Sequence, residues 1–203
     1  MTAAKDRRTV TIVDYGVGNI TSLRGALERS GMRTVVSRAP EEIAGAGALV
    51  LPGVGAFDFA MANMRRTALD DAIRAAFQSG EATILGICLG MQVLFEHSEE
   101  GDVAGLGLLP GRVRAFKGGE CHVGWNLTRD RRDNAAAPQA YYFNHSYFVD
   151  CPDEVVISKA EFQHPFPARI ATRSCHGVQF HPEKSQMVGQ ALLRGMFRGH
   201  RDA

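Results

Sequence analysis

The sequence predicts an α/β domain: a mostly parallel central sheet with helices on both faces, continued in the C-terminal half by antiparallel strands. Three observations carry the prediction. Short apolar runs alternate with amphipathic stretches through the first half of the chain. Those runs end in loops marked by glycine. From about residue 112 strand-like pieces succeed one another without long helices between them.

Val10 to Val13 is a buried-type strand, bounded by Asp14 and Gly16. Leu23, Ala26 and Leu27 then fall at helical spacing, and Gly31 is placed to end that helix in a left-handed cap. The pattern repeats with a strand at Arg33 to Ser37, a short acidic helix from Pro40, and a strand at Ala48 to Leu51 that runs into Pro52-Gly53-Val54-Gly55. Leu69, Ile73, Ala76 and Phe77 share one helical face with Gly80 just beyond, and Thr83 to Ile87 is another buried strand. Val113 to Phe116, Tyr141 to Phe143, Ser146 to Val149, Val155 to Ser158 and Ile170 to Phe180 are the strand-like pieces of the antiparallel part. A final helix from Ser185 to Arg198 offers Val188, Ala191, Leu192 and Met196 to the sheet.

Length and composition set bounds on this scheme. The chain of 203 residues fits one domain over 1–203 with residues 1–8 as a flexible lead-in, and 45% hydrophobic with 22% charged residues supports a sizeable core. Twenty-three basic against 22 acidic residues leave a formal charge of +1, which gives no electrostatic case for nucleic acid or a membrane surface. The N-terminal sequence shows neither an apolar signal core nor a small-residue cleavage site, and no long apolar span follows, so a cytoplasmic location is expected. Cys88, Cys121, Cys151 and Cys175 are widely spaced in a chain too large to need staples and read as reduced thiols. Cys121-His122 and Cys175-His176 lack the paired spacing of a zinc site, and no metal or other cofactor is expected. The charged run Arg129 to Asn134, followed by Ala135-Ala136-Ala137-Pro138, reads as an exposed loop.

Two segments carry chemistry. Gly86-Ile87-Cys88-Leu89-Gly90 stands where a buried strand passes into a helix, and its glycines permit the sharp turn that lifts a nucleophile clear of a sheet. There the thiol would face the first free N–H groups of the helix, which favour thiolate, and the Leu89 N–H would help to bind an oxyanion. Alone, Cys88 would read as a small buried hydrophobe. Gly177-Val178-Gln179-Phe180-His181-Pro182-Glu183 supplies its partner: in extended backbone His181 and Glu183 face one side, so the carboxylate can orient the imidazole while its other nitrogen meets Cys88. Glycines 53 and 55 sit after another strand, where they serve either as turn residues or to bring backbone N–H groups to the same oxyanion.

At these residues the chain resembles the class I glutamine amidotransferases, through Gly86-Ile87-Cys88-Leu89-Gly90-Met91-Gln92 and His181-Pro182-Glu183. Within them it is most similar to the histidine-biosynthetic branch, through Asp14-Tyr15-Gly16-Val17-Gly18-Asn19, Leu51-Pro52-Gly53-Val54-Gly55-Ala56-Phe57, Gly124-Trp125-Asn126 and His181-Pro182-Glu183-Lys184-Ser185. The resemblance implies a flavodoxin-like amidotransferase fold and a glutaminase with Cys88, His181 and Glu183 as triad and the N–H groups of Val54 and Leu89 as oxyanion hole. It implies that glutamine is held around Gly53, Gly55, Gln92 and the His145-Ser146-Tyr147 segment. It implies a TIM-barrel cyclase as partner, receiving ammonia and forming imidazole glycerol phosphate and an aminoimidazole carboxamide ribonucleotide. Asn19, Ser22, Trp125, Asn126, Tyr142 and Lys184 map onto the docking face, although Trp125 alone could equally pack in a core. The chain departs from the branch at Glu120-Cys121, where a Val-Pro-like pair is usual, and at Val123, where methionine is usual. The rival readings are a glutaminase for a pyridoxal phosphate synthase, against which Gly124-Trp125-Asn126 argues, a partner-free cysteine peptidase or γ-glutamyl hydrolase, and a regulatory module without activity.

Overall fold

A computed structural model describes residues 9–131, 133 and 135–198. The lead-in at residues 1–8 lies outside the described residues, as do Arg132 and Asn134 of the charged run. In the first half, strand β1 (Thr9–Val13) leads to helix α1 (Ile20–Arg29), then β2 (Arg33–Ser37), α2 (Pro40–Ala44), β3 (Ala48–Leu51), α3 (Phe57–Arg66), α4 (Leu69–Gln78), β4 (Thr83–Ile87) and the single turn α5 (Leu89–Gln92). Then come β5 (Phe95–Ser98), β6 (Val103–Ala104), β7 (Leu109–Ala115), β8 (His122–Asp130), β9 (Gln139–His145), β10 (Tyr147–Asp150), β11 (Val156–Phe162), β12 (His164–Ala171), β13 (Cys175–Val178) and α6 (Gln186–Arg198).

Among the described residues, nine strands form one sheet in the order β2-β1-β3-β4-β13-β12-β11-β8-β9. The five from β2 to β13 are parallel to one another, and the rest continue antiparallel from β12 outward. Alternation along the parallel strands feeds two cores, one on each face. Leu49 and Leu51 of β3 join Phe57, Met61 and Met64 of α3 and Ile73 of α4, whereas Ala48 and Val50 join Leu23 and Leu27 of α1 and Leu193 and Phe197 of α6. Gly31 and Gly80 both adopt positive φ where their helices end, as the sequence predicts.

The structure departs from the expected outline in several places. Strands β5, β6 and β8 were not anticipated, and β8 takes in Arg129 and Asp130 of the run read as a loop, which pair with Lys159 and Ser158 of β11. Helix α3 was not anticipated, although Phe57, Ala60, Met61 and Met64 stand at helical spacing and are all fully buried. Part of the antiparallel region is a separate four-strand sheet, β10-β7-β5-β6, in which β5 and β7 run parallel. The apolar run Ile170 to Phe180 is not one strand, because Thr172 turns the chain by bonding the Cys175 carbonyl, which splits the run into β12 and β13. On α6 the buried line is Gly189, Leu193 and Phe197; Val188, Leu192 and Met196 flank it half-buried and Ala191 faces solvent.

Candidate active site

The register Val178↔Ile87 between parallel β13 and β4 puts Cys88 just beyond the C-terminal end of one strand and Gln179 just beyond the end of its neighbour. Ligands of open α/β sheets bind at such strand ends. The Cys88 N–H donates to the Val178 carbonyl at 2.8 Å, which prolongs the pairing to the turn itself. Cys88 then takes φ 52° and ψ −111°, a conformation that costs an L-residue energy and persists because its surroundings impose it. Close packing makes this elbow possible. A side chain at Gly90 would place its Cβ 1.9 Å from the Leu51 carbonyl oxygen, and one at Gly86 would place it 2.3 Å from the Gly90 oxygen.

His181 reaches the elbow from the end of β13. Its backbone N–H donates to the Tyr142 carbonyl at 2.8 Å, and Pro182–Lys184 then form a 3-10 turn. The expectation that two extended residues would bring His181 and Glu183 to one side is corrected here: the turn carries Glu183 back, and Nδ1 of His181 meets its Oε1 at 2.8 Å. The hydroxyl of buried Ser185 donates to the His181 carbonyl at 2.6 Å and accepts from the Tyr142 N–H at 3.0 Å, which locks the turn. The His181 and Glu183 side chains are only 1% and 5% exposed. Burial works against a charge on His181, but the Cys88 sulfur, together with Glu183, outweighs it and pushes the imidazole up to about 10. The ring thus sits between two groups that favour its protonated form, with Nδ1 taken by the carboxylate.

A cleft of about 240 Å³ opens over Cys88. Of the expected residues, Val54, Leu89, Gly55, Gln92, His145, Ser146 and Tyr147 line it. Gly53 lies behind the wall, packed so tightly on the elbow that a Cβ would fall 2.3 Å from the Gly90 nitrogen. Glu100, Cys121 and Asn144 also line the cleft and were not singled out as parts of the site in the sequence. Burial pushes the Glu100 carboxyl up, and a hydrogen bond from the Phe57 N–H partly offsets this. Gln179 was missed too. Fully buried, it donates from Nε2 towards the Cys88 sulfur at 3.8 Å and accepts from Gln92 at 3.2 Å.

The expected docking residues divide. Trp125 is 50% exposed, so it does not pack in the core; its ring meets Tyr142 edge-on at 6.3 Å, and the Lys184 ammonium lies 5.7 Å from the Tyr142 ring centre. Asn19 and Lys184 line an open groove of about 670 Å³ whose wall at Val54 is shared with the cleft. Ser22 is exposed on α1, its N–H bonded to the Asn19 side chain that caps the helix. Asn126 turns the other way, with its amide bonded to His122 and to the Glu161 carbonyl.

A strained cysteine at a strand end, met by a histidine that a carboxylate orients, is the site of a cysteine-dependent amide-cleaving enzyme. The family of class-I glutamine amidotransferases matches residues 11–198, and the chain belongs to that family. More narrowly, it is 45% identical over 198 residues to the imidazole glycerol phosphate synthase subunit HisH of Geobacillus thermodenitrificans, across 91% of this chain and 92% of that one. It is 37% identical over 198 residues to the HisH subunit of Bdellovibrio bacteriovorus, across 91% and 97%. Among solved structures, a glutamine amidotransferase superposes with a TM-score of 0.74 at 19% identity, over 92% of this chain and 98% of its own. PurLQS from Thermotoga maritima superposes with a TM-score of 0.73 at 18% identity, over 95% and 96%; both likenesses concern the fold.

Proposed function

We propose that the chain is the glutaminase subunit of an imidazole glycerol phosphate synthase and supplies ammonia to a TIM-barrel cyclase in histidine biosynthesis. The observation that carries the reading is the buried His181, held at 2.8 Å by Glu183 and close enough to Cys88, a cysteine in elbow conformation, for that sulfur to raise its pKa. The relatives favour this assignment over a subunit of a pyridoxal phosphate synthase. A cytoplasmic location belongs to the same reading.

The Cys88 sulfur attacks the side-chain amide carbon of glutamine, and the tetrahedral oxyanion is taken up by the N–H groups of Leu89 and Val54. His181 gives its proton to the departing ammonia, leaving a glutamyl thioester. Water, deprotonated by His181, then releases glutamate and restores the thiolate. Glu183 holds the imidazole in the tautomer and orientation both steps need. Gln92 has its amide hydrogens committed to the Tyr147 carbonyl and Gln179, so its Oε1 is the atom that accepts from the α-amino group of the substrate. Ser146 and Tyr147 stand at the same wall and take the α-carboxylate.

Trp125, Tyr142 and Lys184 form the aromatic anchor for the cyclase, with Asn19 and Ser22 on the adjoining groove. Because Val54 borders both groove and cleft, a cyclase seated in the groove can turn the Gly53–Val54 peptide and aim the Val54 N–H at the oxyanion. Glutamine hydrolysis would then wait for the cyclase and its nucleotide, and the coupling would be reciprocal. The test measures glutamate and ammonia from the purified chain, alone and with cyclase plus nucleotide, beside Cys88→Ala. Turnover that rises steeply in the complex and vanishes in the variant is expected. Equal turnover by the isolated chain would sink the coupling, and full activity of Cys88→Ala would sink the glutaminase.

A further inference from the structure

Side chains of the paired strands β8 and β9 form a directed hydrogen-bond chain that the reaction scheme does not use. The amide of Asn126 is oriented without ambiguity, because its Oδ1 accepts from the Leu127 N–H at 2.7 Å and its Nδ2 donates to the Glu161 carbonyl at 2.9 Å. The second Nδ2 hydrogen points at Nε2 of His122, 3.0 Å away. Nδ1 of His122 lies 3.1 Å from Nε2 of His145, and Nδ1 of His145 lies 2.8 Å from the Tyr147 carbonyl.

A carbonyl can only accept, so His145 carries its proton on Nδ1 and accepts at Nε2. His122 must then donate from Nδ1 and accept at Nε2, which the Asn126 amide satisfies. Each link has one polarity, and it is set from both ends. A proton added to either ring would bring two N–H groups face to face, and burial favours the neutral form of both. The Tyr147 carbonyl also accepts from Gln92 at 2.9 Å, so both of its lone pairs are engaged. Gln92 continues to Gln179, and Gln179 to the Cys88 sulfur. The chain thus runs from the strand that bears Trp125 to the wall of the glutamine cleft.

We infer that Asn126, His122 and His145 are positioning residues, a relay of neutral imidazoles that holds the Tyr147 carbonyl and with it the Gln92 side of the glutamine cleft. The inference rests on the glutaminase reading for the identity of what the cleft holds. Asn126→Asp is the informative change. It keeps the shape but substitutes an acceptor for the donor, which forces a proton onto Nε2 of His122 and reverses or breaks every link beyond.

Two measurements test the relay. Long-range nitrogen-15 correlation spectra of the full chain report ring tautomers directly, and both His122 and His145 are expected as neutral Nδ1–H forms at pH 7. In the complex with saturating cyclase and nucleotide, Asn126→Asp is expected to raise KM for glutamine about tenfold, the weight of one net hydrogen bond, with kcat nearly unchanged. Asn126→Ala removes the same donor but forces no tautomer and is expected to raise KM less. A proton on Nε2 of His145 in the unaltered chain would overturn the relay, as would an Asn126→Asp complex with unaltered tautomers and KM. Absence of glutaminase activity from the unaltered complex would instead remove the functional reading, and the tautomer spectra would still decide the relay.

Discussion

His181 and His145 have opposite electrostatic fates, although both are buried in the same part of the fold. His181 is held towards its charged form by Cys88 and Glu183 and reaches about 10, whereas His145 is pushed down by burial to about 3. Glu183→Gln keeps the contact and removes the charge, and by analogy with other triads it should lower kcat by about 10³- to 10⁴-fold in a glutaminase assay of the complex. For His145 the unfolded chain binds more protons than the native one between its ordinary value of 6.5 and about 3. Stability therefore falls as pH drops through that window, with His122 and His181 adding to the repulsion. Denaturation midpoints at pH 7 and pH 5 should differ by less in a His145→Gln variant than in the unaltered chain. At this scale much of the site was legible in the sequence, since glycines around Cys88 and the spacing of His181 and Glu183 mark them. Gln179 could have been found by the same alternation that pairs it with His181, but Asn144 meets the Cys88 sulfur through its backbone carbonyl at 3.7 Å, which no side-chain pattern records.

Among the elements, the elbow between β4 and α5 depends on contacts with no room for a Cβ. Gly90→Ala would drive a methyl group into the Leu51 carbonyl and should destabilise the fold by about 1 to 3 kcal/mol, read as a lower denaturation midpoint at unchanged slope. Strands β1, β3 and β4 and the helices α1, α2 and α4 were readable because burial on two faces writes apolar runs and helical periods directly into the chain, whereas parallel β13 was hidden inside a run assigned to the antiparallel part. Helix α3 escaped because its apolar period begins at Phe57, just beyond the glycine-rich loop Pro52-Gly53-Val54-Gly55. The face of α6 shifted by one residue because Gly189 sits against Pro182, where a Cβ would fall 2.0 Å from the carbonyl oxygen. A glycine at the closest approach carries no hydrophobic signal, so the apolar neighbours on either side were read as the contact face.

At the scale of the molecule, strand order brings together what sequence order separates. That β13 would insert beside β4 follows from long-range pairing, and no local pattern announces it. The same arrangement divides the chemistry between two stretches of chain. The nucleophile and the parallel strands β1 to β4 come before the exposed segment Ala135 to Ala137, and the base, its carboxylate and α6 come after it. The stretches meet along β4 with β13, β8 with β9, β8 with β11 and β7 with β10. A polypeptide nicked between Ala136 and Ala137 should therefore behave as two complementary halves. Each lacks the sheet neighbours of the other, and co-expression should restore a working enzyme that neither half yields alone.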